Sequence, residues 1–185
     1  MSYLRSFAPW IVFAIVPASQ WKWAALLALV VSIAGMARQV RSGLPFDAQI
    51  IEAGSAVYFA ALTVLAFANP KTPVHAYTAC LASGALALIA CASLAIGKPF
   101  TLGIARQSVP REAWDNPLFY RVNVVITTAW AASFVIGCII LAFLAHSSVL
   151  ARSTVQVAAF AIPLVFTIRY VDRARARSRA AVTTA

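Results

Sequence analysis

Glu52 is the only carboxylate within a long apolar run of this 185-residue chain, about one helical turn from the end of that run. A charged side chain at this depth is unfavourable unless it is paired, which makes Glu52 a candidate functional residue. Because its position is shallow, the alternative that we favour is structural: the carboxylate reaches the surface, or it pairs with Arg41 or Arg121 as a clamp between helices.

Three further polar side chains could line a cavity together with Glu52. Tyr58 lies in the same apolar run, and Asn123 and Thr127 lie in a later one. These four residues form our candidate intramembrane polar site. The same groups could instead form hydrogen bonds between helices, worth about 0.6 kcal/mol each, and we prefer this packing interpretation for any one of the residues taken singly.

The residues of familiar catalytic or metal-binding arrangements do not occur together in this sequence. It contains no HExxH motif, no Ser-His-Asp candidate and no pair of carboxylates within one apolar run. His75 and His146 are its only histidines, and Cys80, Cys91 and Cys138 all lie in apolar runs, as packing residues do. We therefore predict that the chain is not an enzyme and has no catalytic residue, cofactor or metal site.

The composition indicates a membrane protein. Hydrophobic residues make up 62% of the chain and charged residues 11%, whereas soluble domains carry about 25% charged residues. Apolar runs recur along the whole sequence, and a helix needs about 20 residues to cross a bilayer. The predicted fold class is all-α, a polytopic membrane helix bundle in one integral membrane domain, 1–185, with about six transmembrane helices. The predicted spans are Phe7–Val16, Trp21–Ala37, Ala48–Ala68, Val74–Ile96, Val122–Ala145 and Ser153–Ile168.

The first run, Phe7–Val16, is short and stops at Pro17. It is compatible with a short span, with a re-entrant or interfacial helix, or with the hydrophobic part of a signal peptide cleaved near Ala18. A further hydrophobic helix begins almost at once and can itself direct insertion, which disfavours the signal peptide. If the first run does not span, the bundle has five transmembrane helices.

Small residues recur every four positions on two spans. A helix with such a ridge allows the backbone of a neighbour to approach closely, and we interpret both ridges as ordinary packing surfaces. The first comprises Ala79, Ser83, Ala87, Cys91 and Ala95, and the second comprises Ala129, Ser133 and Gly137.

The distribution of basic residues predicts the orientation. With six spans, twelve of the fifteen Lys and Arg residues fall on one side, and only Lys22, Lys71 and Arg152 fall on the other. Basic residues are retained in the cytoplasm, so we place both termini and the basic tail, 171–185, on the cytoplasmic side. The tail is expected to attract anionic lipids. No base-stacking aromatic residues accompany its arginines, so nucleic acid is not an expected partner.

The segment 97–121 is the longest stretch that is not simply apolar, and we predict a cytoplasmic interfacial loop there. Its apolar residues would face the membrane and its basic residues would face water. Val109-Pro110 and Asn116-Pro117 are typical of helix starts. The candidate interaction residues of this loop are Lys98, Pro99, Phe100, Arg106, Trp114 and Arg121.

Several sequence features resemble the intracellular septation protein A (YciB-like) family over nearly the full length. They are the opening 7–13 (FAPWIVF), the basic turn after the second span and the Lys98-Pro99-Phe100 turn, followed by Trp114, Pro117, Phe119, Asn123, Trp130 and Phe134. The chain departs from the family pattern at 103–116 and in its arginine-rich tail. The resemblance implies a multi-pass protein of the bacterial inner membrane, linked to envelope integrity, septation and cell shape, without known catalytic residues.

Two functions follow as hypotheses. The first is a structural or interaction protein that docks envelope or division proteins, or further copies of itself, through its cytoplasmic face. The second is a small transporter or channel for a solute or lipid, with the candidate polar site lining the path. A transport path should reach the midplane of the membrane, where this sequence has almost no ionisable groups, so we favour the first.

Overall fold

The computed structural model describes residues 5–44 and 46–183, and in this part the chain is all-helical. Seven α-helices follow one another: α1 Ala8–Ile15, α2 Trp21–Arg41, α3 Ile50–Ala68, α4 Thr78–Ala95, α5 Phe100–Arg106, α6 Pro117–Phe143 and α7 Val149–Thr183. Short 3-10 turns join several of them, among them Phe46–Gln49 and Pro73–Tyr77. The predicted fold class, an all-α helix bundle, is confirmed.

Five helices are long and apolar enough to cross a membrane: Trp21–Arg41, Ile50–Ala68, Pro73–Ala95, Pro117–Phe143 and Val149–Ala174. Large apolar side chains point outward from them, for example Val57, Leu88 and Phe143, which are 72%, 71% and 86% exposed. So many exposed apolar side chains on long helices suit contact with lipid tails rather than water. The chain is a multi-pass membrane protein.

The N-terminal segment reaches from one end of the bundle to the other without a full-length helix. Helix α1 has eight residues and is about 12 Å long, too short to cross a bilayer alone. Yet Arg5 and Arg38 line one cleft at one end of the bundle, and Pro17, His75 and Arg152 line another at the opposite end. The residues before and after α1 cover the remaining distance between the two ends of the bundle.

Both described ends of the chain lie at the same end of the bundle. Arg5 is near Arg106, and Arg173 of α7 is near Leu118, at the start of α6 just after the loop that carries Arg111. We call this the basic end. Helix α7 continues through most of the predicted tail, to Thr183.

Helices α2 and α4 end at the basic end with the same turn. Gly43 and Gly97 have φ values of 67° and 69°, a left-handed conformation that glycine adopts without steric penalty. The residues after them, Leu44 and Lys98, donate their backbone N–H to carbonyls five residues back. This helix-ending motif satisfies carbonyls that the last helical turn leaves free.

Aromatic side chains fill the core beside the N-terminal segment. Phe7 is fully buried and stacks on Trp130 of α6, with ring centroids 4.9 Å apart. Phe160 of α7 meets Phe7 edge-on at 4.8 Å, and Phe100 of α5 does so at 6.2 Å. Phe7 therefore ties the N-terminal segment to three other helices.

The first small-residue ridge is only partly a contact surface. Ser83 and Ala87 are buried between α4 and its neighbours, whereas Ala79 is half-buried, and Cys91 and Ala95 are exposed. A four-residue repeat advances about 40° around a helix at each step, so a long ridge turns away from a straight neighbour. The buried face of α4 instead combines steps of three and four residues.

The second ridge packs α6 against α7. A Cβ atom on Gly137 would lie 2.9 Å from the Cβ of Ala159, so the two backbones approach as closely as glycine allows. Ser133 Oγ donates a hydrogen bond of 2.8 Å to the carbonyl of Ala159. That carbonyl needs an outside donor because Pro163, four residues on, has no N–H.

Helices α4 and α6 place Cys80 and Cys138 with their sulfurs 3.6 Å apart, both as free thiols. This is close enough for a disulfide after a small side-chain rotation. We expect a membrane-permeable oxidant to produce an intramolecular Cys80–Cys138 disulfide in the membrane-embedded protein, seen by mass spectrometry as the loss of two hydrogens. Cys80→Ser should remove the product, and Cys91, which is exposed, should not appear in it. A bridge through Cys91 instead would contradict the packing of α4 on α6.

Candidate functional site

A cleft of about 500 Å³ opens at the basic end of the bundle. We call it the basic-end cleft. Four separate parts of the chain form it: the N-terminal segment, the end of α2, the start of α3 and the segment from α5 to Trp114. Its lining residues are Arg5, Gly35, Arg38, Gln39, Ser42, Leu44, Glu52, Arg106, Gln107, Val109, Pro110, Arg111 and Trp114. Four arginines thus surround a single carboxylate.

Glu52 is the buried carboxylate of the basic-end cleft, with 3% of its surface exposed. Its Oε1 atom accepts a hydrogen bond of 2.7 Å from Ser6 Oγ and a second one from Gln39 Nε2. Glu52 is therefore a clamp that joins the N-terminal segment, α2 and α3. The predicted partners Arg41 and Arg121 are wrong, because both side chains are exposed and no hydrogen bond in the described part joins either of them to Glu52.

Glu52 Oε2, Gln39 Oε1 and Gln107 Nε2 are buried polar atoms of lining residues that have no hydrogen-bond partner. Two of these are acceptors and one is a donor. An unsatisfied buried polar group costs about 1–3 kcal/mol, so such groups are few in stable proteins. A molecule that binds in the cleft could complete the hydrogen bonding of these three atoms.

Trp114 orders the arginines on one wall of the basic-end cleft. The guanidinium carbons of Arg106 and Arg111 lie 5.1 Å and 5.6 Å from the centre of its ring, within the range of cation–π attraction. The indole N–H donates to the carbonyl of Val109 at 3.1 Å, which fixes the ring. The predicted helix start at Pro110 is a single 3-10 turn, Arg111–Ala113, that carries this wall.

Only part of the predicted interfacial loop is available for contact. Arg106 and Trp114 line the cleft, and Lys98 and Arg121 are exposed, but Pro99 and Phe100 are buried. Helix α5 is buried on all sides from Phe100 to Ile104, so it does not lie on the membrane with one side in water as predicted.

The candidate intramembrane polar site divides into three places, and only Glu52 lines the basic-end cleft. Tyr58 stacks on Trp10, with ring centroids 5.1 Å apart, deeper in the bundle. Asn123 and Thr127 hold α5 in place: Thr101 Oγ1 lies 2.8 Å from Thr127 Oγ1 and 3.0 Å from the carbonyl oxygen of Asn123. Thr127 therefore serves the packing role that we preferred for it, whereas the Asn123 side chain donates to the carbonyl of Phe119 in its own helix.

A second, smaller cleft of about 260 Å³ opens at the opposite end of the bundle. The residues 13–17 of the N-terminal segment line it, together with Trp21, His75, Arg152 and Gln156. Between the two clefts the bundle is filled by Trp10, whose indole N–H donates to Ser55 Oγ at 2.8 Å. The N-terminal segment therefore lines both clefts and separates them.

Glu52, Arg106 and Trp114 are the residues of this cleft that the sequence singles out as candidates. Ser6, Gln39 and Gln107 are ordinary polar residues near helix ends, and nothing in their spacing singles them out. In the described part of the chain, no group of three or more His, Cys, Asp or Glu residues could hold a metal ion. Comparison of this chain with protein-family models, curated proteins and solved structures gives no match.

Proposed function

We propose that this protein is a non-catalytic interaction protein of the bacterial cytoplasmic membrane that acts through its basic-end cleft. The cleft itself carries the proposal. Guanidinium groups bind carboxylate and phosphate through paired hydrogen bonds, and the arginines Arg5, Arg38, Arg106 and Arg111 line one recess. Its volume, about 500 Å³, is in the usual range of ligand sites, about 300–1,000 Å³. The expected ligand therefore carries an anionic group.

The chemistry of the cleft favours binding over catalysis. Among its described lining residues Glu52 is the only one that could act as a general acid or base, because arginine stays protonated. Glu52 is itself engaged by Ser6 and Gln39. The resemblance to the intracellular septation protein A family supports a role in envelope maintenance, septation or cell shape, and anionic lipids or the anionic side chains of envelope and division proteins are the expected partners.

The arrangement of the two clefts supports a second candidate, a small membrane transporter. The N-terminal segment lines a recess at each end of the bundle, and transporters often form their substrate sites near the midplane from interrupted helices. Transport would require this segment to move, because Phe7 and Trp10 are buried between the clefts.

A matched pair of variants at the end of α2 would test the proposed function. Arg38 lines the cleft, and Arg41, one turn further on, is exposed and does not. In cells that lack the gene we expect filaments or lysis in hypo-osmotic medium. Arg41→Gln should restore normal cells, and Arg38→Gln at equal protein level should fail in most cells, because it removes a cleft cation.

Equal rescue by both variants would contradict a role for the cleft. Normal morphology combined with a growth defect on one nutrient would favour the transporter instead. In that case uptake of that nutrient by vesicles containing the purified protein becomes the deciding measurement.

A further inference from the structure

We propose that the basic-end cleft recognises a ligand that carries both a primary ammonium and a phosphate, as phosphoethanolamine does. This inference rests on the proposed function, because it assumes that the cleft is a binding site. It goes further by assigning the ligand's two charged groups to two sets of protein atoms. The ligand is either the headgroup of a membrane lipid or a soluble molecule with the same groups.

The acceptor set recognises the ammonium. Glu52 Oε2 and Gln39 Oε1 are both buried and unpartnered, and they belong to neighbouring side chains, since Gln39 Nε2 donates to the other oxygen of Glu52. A primary ammonium has three N–H donors and can bond both oxygens at once. A trimethylated ammonium has no N–H and would leave both unsatisfied.

The donor set recognises the phosphate. Gln107 Nε2 is a buried donor without a partner, and it is flanked in sequence by Arg106, which also lines the cleft. Arg38 and Arg5 supply further guanidinium groups to the same recess. Phosphate oxygens accept several such charge-assisted hydrogen bonds at once.

Neither charge alone satisfies both sets of atoms. A simple anion would share a partly buried recess with the carboxylate of Glu52, and like charges repel more strongly where water is excluded. A simple cation would meet four guanidinium groups. A ligand with both charges, joined by a short linker, satisfies the two sets together. The cleft lies at the end of α2 and the start of α3. The ends of membrane-spanning helices are at the level of the lipid headgroups.

Native mass spectrometry of the full chain in detergent can test this assignment. Short-chain lipids with phosphoethanolamine, phosphoglycerol or phosphocholine headgroups are added separately, and soluble phosphoethanolamine is added as a competitor. We expect the phosphoethanolamine lipid to be retained at about tenfold lower concentration than the other two. Glu52→Gln keeps an oxygen for Ser6 and Gln39 but replaces Oε2 by an NH2 donor, so it should abolish this preference.

Arg38→Gln should weaken retention of all three lipids, and Arg41→Gln should behave as the unchanged chain. Formation of the Cys80–Cys138 disulfide serves as the folding control for each variant. Retention of soluble phosphoethanolamine alone, still sensitive to Glu52→Gln, would support the chemistry and identify the ligand as soluble.

Two results would overturn the inference, and they differ in what else they overturn. Equal retention of all three lipids, unchanged by Glu52→Gln but weakened by Arg38→Gln, removes the ammonium assignment and leaves the proposed function intact. If the Arg38→Gln and Arg41→Gln variants retain every ligand equally well, both the ammonium–phosphate assignment and the proposed function are overturned.

Discussion

Replacing Gly103 by alanine is expected to destabilise the protein by about 3 kcal/mol, because a single added methyl group has no room. A Cβ atom at this position would overlap the backbone of Ala48, with its Cα only 2.7 Å away and its carbonyl oxygen closer still. Backbone atoms of the 3-10 turn Phe46–Gln49 cannot rotate aside as a flexible side chain would. The whole of α5 would have to move.

Gly35→Ala provides the matched control for this change. A Cβ atom at Gly35 would lie 3.9 Å from Glu52 Cγ, an ordinary contact. Both glycines lie within helices, where alanine is intrinsically favoured by about 1 kcal/mol. The difference between the two variants therefore isolates the overlap at Ala48. We expect the thermal midpoint of the detergent-solubilised protein to fall for Gly103→Ala and to stay level or rise for Gly35→Ala. Equal midpoints would contradict the close packing of α5 on Ala48.

The membrane helices were predictable because the bilayer imposes a length and a composition that can be read without tertiary structure. The start of α6 was predictable for a local reason: Asn116 Oδ1 accepts from the Leu118 N–H at 2.8 Å, and Pro117 occupies the first helical position. Such features depend on residues close together in sequence. The helical continuation of the tail was missed, although Ala and Arg are strong helix formers and neither glycine nor proline follows Pro163.

The burial of α5 was not predictable, because its apolar composition suits a lipid surface and a protein interior equally well. What decides between them is the fit of Gly103 against Ala48 and of Thr101 against Thr127. These are contacts between residues far apart in the chain. A threonine and a glycine in a short apolar helix are, in retrospect, the signal that another backbone lies close.

The basic-end cleft was only partly predictable. Glu52 stood out as the single carboxylate in an apolar run, and the cost of burying it correctly implied a partner. The sequence predicts an arginine as this partner, because opposite charges are the usual way to stabilise a buried carboxylate. The fold instead supplies a hydroxyl and an amide, from Ser6 and Gln39, and directs the arginines into the open recess. No sequence pattern marks a serine or a glutamine as such a partner.

Replacing Phe7 by alanine is expected to release the N-terminal segment from the bundle. Phe7 is fully buried among Trp130, Phe160 and Phe100, so truncation leaves a cavity where three helices meet. Removing a buried aromatic side chain costs about 3–5 kcal/mol in soluble proteins. Lipid tails solvate an apolar ring better than water does, so the lower figure applies here. Loss of Phe7 also frees the adjacent Ser6 from Glu52, which disturbs the floor of the cleft.

Hydrogen–deuterium exchange of peptides covering residues 5–20 measures this release directly. A loss of about 3 kcal/mol raises the population of the open segment about a hundredfold, and exchange should quicken in this segment more than in α4 or α6. Phe143→Ala is the control, since Phe143 is 86% exposed and its removal leaves no internal cavity. If Phe7→Ala exchanged no faster than Phe143→Ala in this segment, Phe7 would not anchor it. The N-terminal segment would then have to be held by its other contacts, among them those of Trp10 and Phe13 and the Ser6–Glu52 hydrogen bond.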